Sequence, residues 1–215
     1  RGEVDQQRLG LIGHSEGGMI APMVAARNST VHFVVLMAGP GVPGDELIVE
    51  QARLIALAAG MAPEIAQRGT DQQRSIVEII KREKDGAALE AALRERLTAL
   101  GLQPAQIDVQ LKGVTTPWFR YFVSYDPAPA LAALKCPVLA INGEKDLQVP
   151  PAQNLPAIRR ALAANKTAQI EEIPGVNHLF QPATTGSPTE YATTETTIAP
   201  AVLEKISTWI LGLKL

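Results

Sequence analysis

Apolar residues follow two different patterns along this chain. Four short apolar runs lack a helical period, and they cover residues 8–14, 31–37, 137–143 and 168–173. Such runs, bounded by glycine or proline, are typical of buried strands, and the partial alternation of the fourth favours a place nearer the sheet edge. Apolar residues recur at helical spacing in residues 15–28, 151–165 and 198–213. The alternation of strand and helix predicts an α/β fold, a mostly parallel sheet with helices on both faces.

The middle of the chain has a different character. Residues 45–111 are rich in alanine, glutamate, arginine and glutamine and contain no convincing strand. Apolar residues recur there at helical spacing, which predicts a helical insertion of roughly two to four helices. We therefore expect three segments, with residues 1–42 as the first part of the core, 43–117 as a helical cap and 118–215 as the second part of the core.

Composition narrows the range of functions. The 215 residues include 20 basic and 22 acidic side chains, which excludes the basic excess of a nucleic-acid-binding surface. A hydrophobic content of 46% excludes disorder as the main state, and the single Cys136 excludes a disulfide framework. With one cysteine and three scattered histidines, we expect no metal site.

The sequence also lacks the signatures of membrane spans and nucleotide cofactors. No apolar run reaches the ~18 residues of a spanning helix, so we expect no membrane span. No phosphate-binding loop and no G-x-G-x-x-G pattern is present, so we expect no cofactor. No signal peptide is visible after Arg1, and the compartment stays open between the cytoplasm and secretion.

A G-x-S-x-G pattern lies between the first predicted strand and the helix that follows it. The tight turn from strand to helix requires small residues two before and two after the serine, and Gly13 and Gly17 supply them. Ser15 then stands at the carboxyl end of the strand as a candidate nucleophile, and the main-chain N–H of Glu16 points where an oxyanion would form. The alternative is that Ser15 only caps the helix, a role that needs no flanking glycines.

A nucleophilic serine needs a histidine to take its proton, and three histidines compete for this role. His14 is adjacent to Ser15, but adjacent residues on a sharp turn point apart. His32 lies near the start of a strand, at the wrong end for the site. His178 follows the fourth predicted strand, and functional groups of open parallel sheets collect at this end. We therefore predict His178 as the base, against the alternative of an ordinary loop histidine.

A carboxylate should orient that histidine, and Asp146 follows the third predicted strand at its carboxyl end. Glu144 is a near competitor, whereas Asp126 precedes the strand and fits less well. The alternative for Asp146 is an ordinary turn or helix-capping aspartate. The predicted chain order of serine, acid and histidine is then Ser15, Asp146 and His178.

Three motifs in this order resemble the α/β-hydrolase superfamily, in the branch of serine esterases and prolyl-oligopeptidase-like enzymes. They are Gly13-His14-Ser15-Glu16-Gly17-Gly18, residues 136–146 and Gly175-Val176-Asn177-His178. The resemblance implies that the four strands correspond to strands five to eight of that fold, with a helical cap after the sixth. It also implies that the first four strands are absent here, together with the loop that supplies the second oxyanion donor.

Without those strands, the first strand becomes a bare apolar sheet edge, which tends to pair with another chain. We therefore expect one of three situations. An upstream part of the fold exists elsewhere, or the chain forms a homo-oligomer through the edge at residues 9–14, or the chain is a fragment.

Aromatic residues are concentrated just after the predicted insertion. Five of the nine aromatic residues lie within residues 118–125. We expect Trp118, Phe119 and Phe122, together with Phe180, to form a hydrophobic wall of the substrate pocket. The alternative is that these rings only join cap to core. Among them, Arg120 is expected to pair with an acid such as Asp126 rather than with a substrate carboxylate.

The sequence thus predicts a serine hydrolase that cleaves a small-molecule carboxylic ester through an acyl-enzyme, with a small to medium acyl group. A peptidase, an amidase or a thioesterase would use the same three residues and stays open. A further alternative is a catalytically incomplete fragment that needs its upstream half or a partner chain.

Overall fold

Four parallel strands form one sheet in the computed structural model, which describes Asp5 and residues 8–214. The sheet order is the chain order: β1 (Gly10–His14), β2 (Phe33–Met37), β3 (Val138–Gly143) and β4 (Ala168–Ile173). The register pairs His14 with Met37 between the first two strands and Val34 with Val138 between the next two. All carboxyl ends therefore lie at one edge of the sheet.

The described helices alternate with these strands or form the insertion. They are α1 (Glu16–Ala25), α2 (Gly44–Ala58), α3 (Pro63–Arg82), α4 (Gly86–Ala99), α5 (Pro104–Val114), α6 (Pro117–Ser124), α7 (Ala128–Ala132), α8 (Pro151–Ala161) and α9 (Pro200–Leu211). A 3-10 helix covers Pro188–Thr193. None of the described helices combines the length and apolarity needed to cross a bilayer.

The middle of the sheet, formed by β2 and β3, is buried on both faces. Every residue of β2 and β3 is buried, as expected of strands covered on both faces. Alternate side chains of these strands enter two separate clusters, one with α9 and one with α1, α7 and α8. The predicted parallel sheet with helices on both faces is confirmed. At the other extreme, Ile12 of β1 is 55% exposed because β1 is the edge strand of the described sheet.

The chain divides into two compact units, one formed by Arg1–Val42 and Pro127–Leu215 and the other by Pro43–Asp126. The second, helical unit contains five helices, and four of them, α2 to α5, lie within the predicted insertion, in agreement with the two to four helices expected there. It also includes α6, although the sequence pattern predicts that residues 118–126 belong to the core. The physical reason is that Val123 of α6 is completely buried in the apolar cluster of the helical unit.

The helical unit has its own apolar core, and a hydrogen bond joins its two ends. Leu89, Leu93 and Leu97 of α4 present one buried stripe at helical spacing. At the ends of the unit, the main-chain N–H of Gly44 donates to the carbonyl of Tyr125 at 3.2 Å. A side chain at Gly44 has no room, because its Cβ would lie 2.1 Å from the carbonyl oxygen of Phe122.

Candidate active site

Ser15 occupies a strained turn between β1 and α1. Its φ of 55° and ψ of −117° lie outside the regions that non-glycine residues ordinarily adopt. Such a conformation costs about 1–3 kcal/mol and persists only where the surroundings enforce it. Here the N–H of Ser15 donates to the carbonyl of Met37 at 2.8 Å, and its carbonyl accepts from the N–H of Gly18 at 2.9 Å.

The Ser15 side chain is not used as a helix cap. The residue stands at the N-cap position of α1, but its hydroxyl makes no capping hydrogen bond. Within the described part of the chain, the hydroxyl also makes no other hydrogen bond, and the residue is partly exposed. Strain without a capping bond therefore disfavours the purely structural alternative for this serine.

The glycines of the motif differ in what they permit. A Cβ on Gly13 would lie 2.0 Å from the carbonyl oxygen of Gly17, so this position admits only glycine. A Cβ on Gly18 would lie 2.6 Å from the Cα of Gly39, which brings the start of α1 against the end of β2. Around Gly17 itself, however, no described atom beyond its chain neighbours and the nearby backbone of α1 lies within 4 Å of such a Cβ. The expectation that close approach requires a small residue at Gly17 is therefore wrong.

Asp146 and His178 form a buried pair at the carboxyl ends of β3 and β4. Nδ1 of His178 lies 2.8 Å from Oδ2 of Asp146, and the two side chains are 6% and 0% exposed. The other carboxylate oxygen of Asp146 accepts the main-chain N–H groups of Gln148 and Val149, each at 2.8 Å. Because a carboxylate oxygen accepts, Nδ1 of His178 carries the proton, which leaves Nε2 as the acceptor in the neutral ring.

Glu144 and Asp126, the two alternatives to Asp146, lie in other positions. Glu144 accepts the main-chain N–H of Gly175 at 2.8 Å, so it ties the loop after β3 to the loop after β4. This hydrogen bond and the neighbouring Lys145 hold the pKa of Glu144 below its usual value. Asp126 belongs to the helical unit.

The loop that carries His178 is held from within. The side-chain oxygen of Asn177 accepts the N–H groups of Leu179 and Gln181, both at 3.0 Å. Phe180 adopts a φ of 59°, and its ring is completely buried in the cluster beneath α9. Contact between a substrate and this ring would require the loop to move, so its predicted place in a pocket wall does not match the burial seen here.

His14 reaches the histidine loop, a contact that the sequence pattern does not predict. Its Nε2 lies 2.8 Å from the carbonyl oxygen of His178, and the two imidazole centroids are 4.8 Å apart. Burial lowers the pKa of His14, and the nearby His178 lowers it further, against the raising effects of that hydrogen bond and of Asp146. Adjacency to Ser15 was the available signal, but it does not show where the side chain reaches.

Tyr191 is a second group near the site that no sequence motif indicates. Nε2 of Gln148 donates to its hydroxyl at 2.9 Å. Burial, together with the negative charge of Asp146, raises the pKa of Tyr191 to about 12. The tyrosine therefore stays neutral beside the buried carboxylate at any ordinary pH.

The third histidine and the potential metal ligands do not extend the site. His32 lies just before the amino end of β2, away from the elbow, and its buried Nδ1 has no hydrogen-bond partner among the described residues. In the part of the chain that the structure describes, no group of three or more histidine, cysteine, aspartate or glutamate side chains could hold a metal ion.

The aromatic residues of α6 contact one another within the helical unit. Trp118 is 53% exposed and stacks on Phe122 with ring centroids 5.6 Å apart. Phe119 lines a cavity of about 500 Å³ in the same unit, together with aliphatic and glutamine side chains of α2, α3 and α5. Arg120 donates to the carbonyls of Glu83 and Lys84, at the end of α3.

A model of the "Alpha/beta hydrolase family" matches residues 2–193. The chain therefore belongs to the alpha/beta hydrolase family. A search of curated proteins gives no match.

Three solved structures illustrate the structural likeness. An enol-lactonase from Burkholderia xenovorans is 18% identical (TM-score 0.44), a Pyrococcus furiosus esterase 13% (0.48) and an α/β-fold hydrolase from Bacillus anthracis 14% (0.46). Each match covers 95% of this chain. This chain spans 66%, 53% and 66% of their respective lengths. Identities this low concern the fold alone.

Proposed function

We propose that this chain is a serine hydrolase that cleaves carboxylic esters, with Ser15 as nucleophile, His178 as general base and Asp146 as the acid that orients it. The observation that carries the proposal is the 2.8 Å contact between Nδ1 of His178 and Asp146, because it leaves Nε2 able to accept a proton. The strained, uncapped Ser15 at the carboxyl edge of the same sheet supports it.

In the first step, Oγ of Ser15 attacks the ester carbonyl carbon while Nε2 of His178 takes the hydroxyl proton. The carbonyl π electrons move to oxygen and form a tetrahedral oxyanion. The buried carboxylate of Asp146 stabilises the imidazolium at 2.8 Å from Nδ1. Collapse of the intermediate breaks the bond to the alkoxy oxygen, which leaves as the alcohol with the proton from His178.

The oxyanion needs hydrogen-bond donors. Glu16 is the first residue of α1, where main-chain N–H groups point out of the helix and the helix dipole favours negative charge. We assign its N–H as one donor. In other enzymes, removal of one oxyanion donor lowers the catalytic rate about 10²–10³-fold. A site with the Glu16 N–H as its one donor would therefore be slow.

In the second step, water attacks the acyl carbonyl and His178 takes its proton. The second tetrahedral intermediate then expels Oγ of Ser15, which recovers the proton from His178. The sum is ester and water to carboxylic acid and alcohol, and the chain's own residues carry every proton. A thioester or an amide would follow the same path with a different leaving group.

A second candidate is an enzyme that completes its site only with another polypeptide. The supporting observation is the edge strand β1, which pairs on one side only in the described sheet. Leu9 and Ile12 are 39% and 55% exposed there, and Ile20 and Val24 of the following helix are also exposed. A bare apolar edge is a template for a further strand. Either an upstream part of the fold or a second copy of this chain would fill that position.

The proposal is tested by exposing the folded chain to a fluorophosphonate and measuring its intact mass. We expect one adduct per chain, absent in Ser15→Ala and retained in Ser29→Ala, a matched change at an exposed serine. An ester, thioester and anilide panel with a common acyl group would then rank the leaving groups. A folded chain that takes no adduct would contradict hydrolysis by this chain and favour the second candidate.

The pocket remains a prediction. We propose Trp118, Phe119 and Phe122 as the acyl-binding wall, and the exposed ring of Trp118, which stacks on the partly buried Phe122, supports an apolar ligand. Replacement of Trp118 by alanine should raise KM for longer acyl chains and leave kcat for acetyl esters unchanged. An equal effect on all acyl lengths would contradict this role.

A further inference from the structure

His14 connects the elbow strand to the loop of the proposed base. It is the last residue of β1, directly before Ser15, and its Nε2 lies 2.8 Å from the main-chain oxygen of His178. A carbonyl oxygen only accepts, so Nε2 of His14 carries the proton, and Nδ1 is the bare nitrogen of the neutral ring. The bond spans 164 residues of sequence and joins the strand of the nucleophile to the backbone of the base.

The ring of His14 also packs against its neighbours. Its centroid lies 4.8 Å from that of the His178 ring at 45°, and 6.2 Å from that of Phe180 in an edge-on contact. These contacts limit the directions that the His178 ring can take. Asp146 fixes the Nδ1 side of that ring, and His14 holds the backbone and one face.

The charge state of His14 suits this position. Burial and the nearby His178 keep its pKa below the ordinary histidine value. A neutral ring adds no repulsion when His178 takes the serine proton, whereas a second imidazolium at this distance would oppose that transfer. The described titratable groups that act on His14 are His178 and Asp146.

We propose that His14 is a positioning residue, which donates Nε2–H to the His178 carbonyl and thereby holds the imidazole of His178 toward Ser15. The proposal rests on the proposed function for its kinetic consequence but not for its geometry. A mispositioning of about 1 Å in a catalytic group can cost a hundredfold in rate. His14 therefore acts through His178 and does not itself touch the reacting atoms.

Three variants separate positioning from plain packing. His14→Phe keeps a ring and removes the donor, His14→Gln restores a side-chain N–H at similar reach, and His32→Phe is the matched control at the other end of the neighbouring strand. We expect His14→Phe to label with a fluorophosphonate about ten- to a hundredfold more slowly, with His14→Gln recovering most of the rate and His32→Phe unchanged. Equal rates in all variants would overturn the proposal, as would an equal loss in His14→Phe and His14→Gln that follows their thermal stability.

A second readout does not depend on Ser15 reacting. Proton–nitrogen correlation spectra of the imidazoles should show His14 protonated at Nε2 and His178 at Nδ1, with faster exchange of the His178 proton in His14→Phe. The inference would be overturned if the His14 ring were protonated at Nδ1 only, or if the His178 signal were the same in His14→Phe as in the parent chain. This holds whatever the rate of fluorophosphonate labelling. Absence of labelling in the parent chain would instead contradict the proposed function, and the spectra would still decide the role of His14.

Discussion

Asp146 and His178 are 32 residues apart in sequence, yet Oδ2 of the first and Nδ1 of the second lie 2.8 Å apart. They meet because β3 and β4 are parallel neighbours, so that the loops after both strands leave at the same edge of the sheet. The loops are joined again by Glu144, which accepts the N–H of Gly175. The pair is therefore a product of one β–α–β unit.

Replacement of Asp146 by asparagine should remove most of the activity while leaving the fold intact. The amide oxygen can still accept from Gln148 and Val149. The amide NH₂ group then replaces the oxygen that faces Nδ1 of His178, and because it donates, it no longer holds the ring with its proton on Nδ1. We expect kcat to fall about 10⁴-fold, as for an acid that only orients a histidine. Ester turnover would measure it, with Glu144→Gln as the control near the parent rate. Equal losses in both variants would argue against Asp146.

Alanine at the two flanking glycines of the elbow should have opposite effects. Gly13→Ala places a methyl group 2.0 Å from the carbonyl oxygen of Gly17 and should lower the free energy of unfolding by about 3 kcal/mol. Gly17→Ala enters open space in the first turn of α1, so the change should stay within about 1 kcal/mol and favour the helix. Urea unfolding of both variants measures the contrast. Similar losses would show that the elbow is not packed as described.

Glycine at position 15 should stabilise the chain and abolish its reactivity. The φ of 55° strains a residue with a Cβ, and glycine adopts positive φ without this penalty. We expect Ser15→Gly to unfold with a free energy about 1 kcal/mol above that of Ser15→Ala, which keeps the Cβ. A Ser15→Gly variant less stable than Ser15→Ala would mean that the turn is relaxed in solution.

Tyr191 should make the stability fall with pH in the alkaline range. Its pKa is raised to about 12 from an ordinary 10.0, so the unfolded chain loses this proton first. The contribution is complete below pH 10 and is lost as pH rises toward 12. Tyr191→Phe should flatten this part of the curve, measured by thermal unfolding at stepped pH. An unchanged slope, with Tyr121→Phe as the exposed control, would contradict it.

A charge on the open sheet edge should reduce self-association. Ile12 is 55% exposed on β1, and Leu211 is 86% exposed on α9. If copies of the chain pair through the edge strand, Ile12→Lys should shift the chain toward monomer, and Leu211→Lys should not. Sedimentation velocity over a concentration series measures both. Equal behaviour of the two variants would remove β1 from consideration as an interface.

Much of the fold can be predicted from local sequence patterns. The apolar runs predicted all four strands because buried parallel strands need continuous apolar residues. The boundary at residue 117 was missed because α6 is aromatic and resembles a core segment, while Val123 settles its place only through contacts with distant helices. Periodicity shows that a helix has a buried face but not which cluster receives it.

The site was predicted where the chemistry is local, and missed where it depends on distance in three dimensions. Ser15 stood out through its glycines, and His178 and Asp146 through their places after strands. The reach of His14 across to the His178 carbonyl has no counterpart in the local sequence. The burial of Phe180 likewise depends on α9, which lies further along the chain.

The hydrogen bond between Gly44 and Tyr125 bears on how fast the chain folds. The pairing of Val34 with Val138 must enclose the whole helical insertion, and the entropy of closing so long a loop slows folding. When the helical unit folds first, the main-chain nitrogen of Gly44 and the carbonyl oxygen of Tyr125, at its two ends, are already 3.2 Å apart. The remaining connection between β2 and β3 is then short. We therefore expect variants that weaken the helical unit to slow the assembly of the sheet.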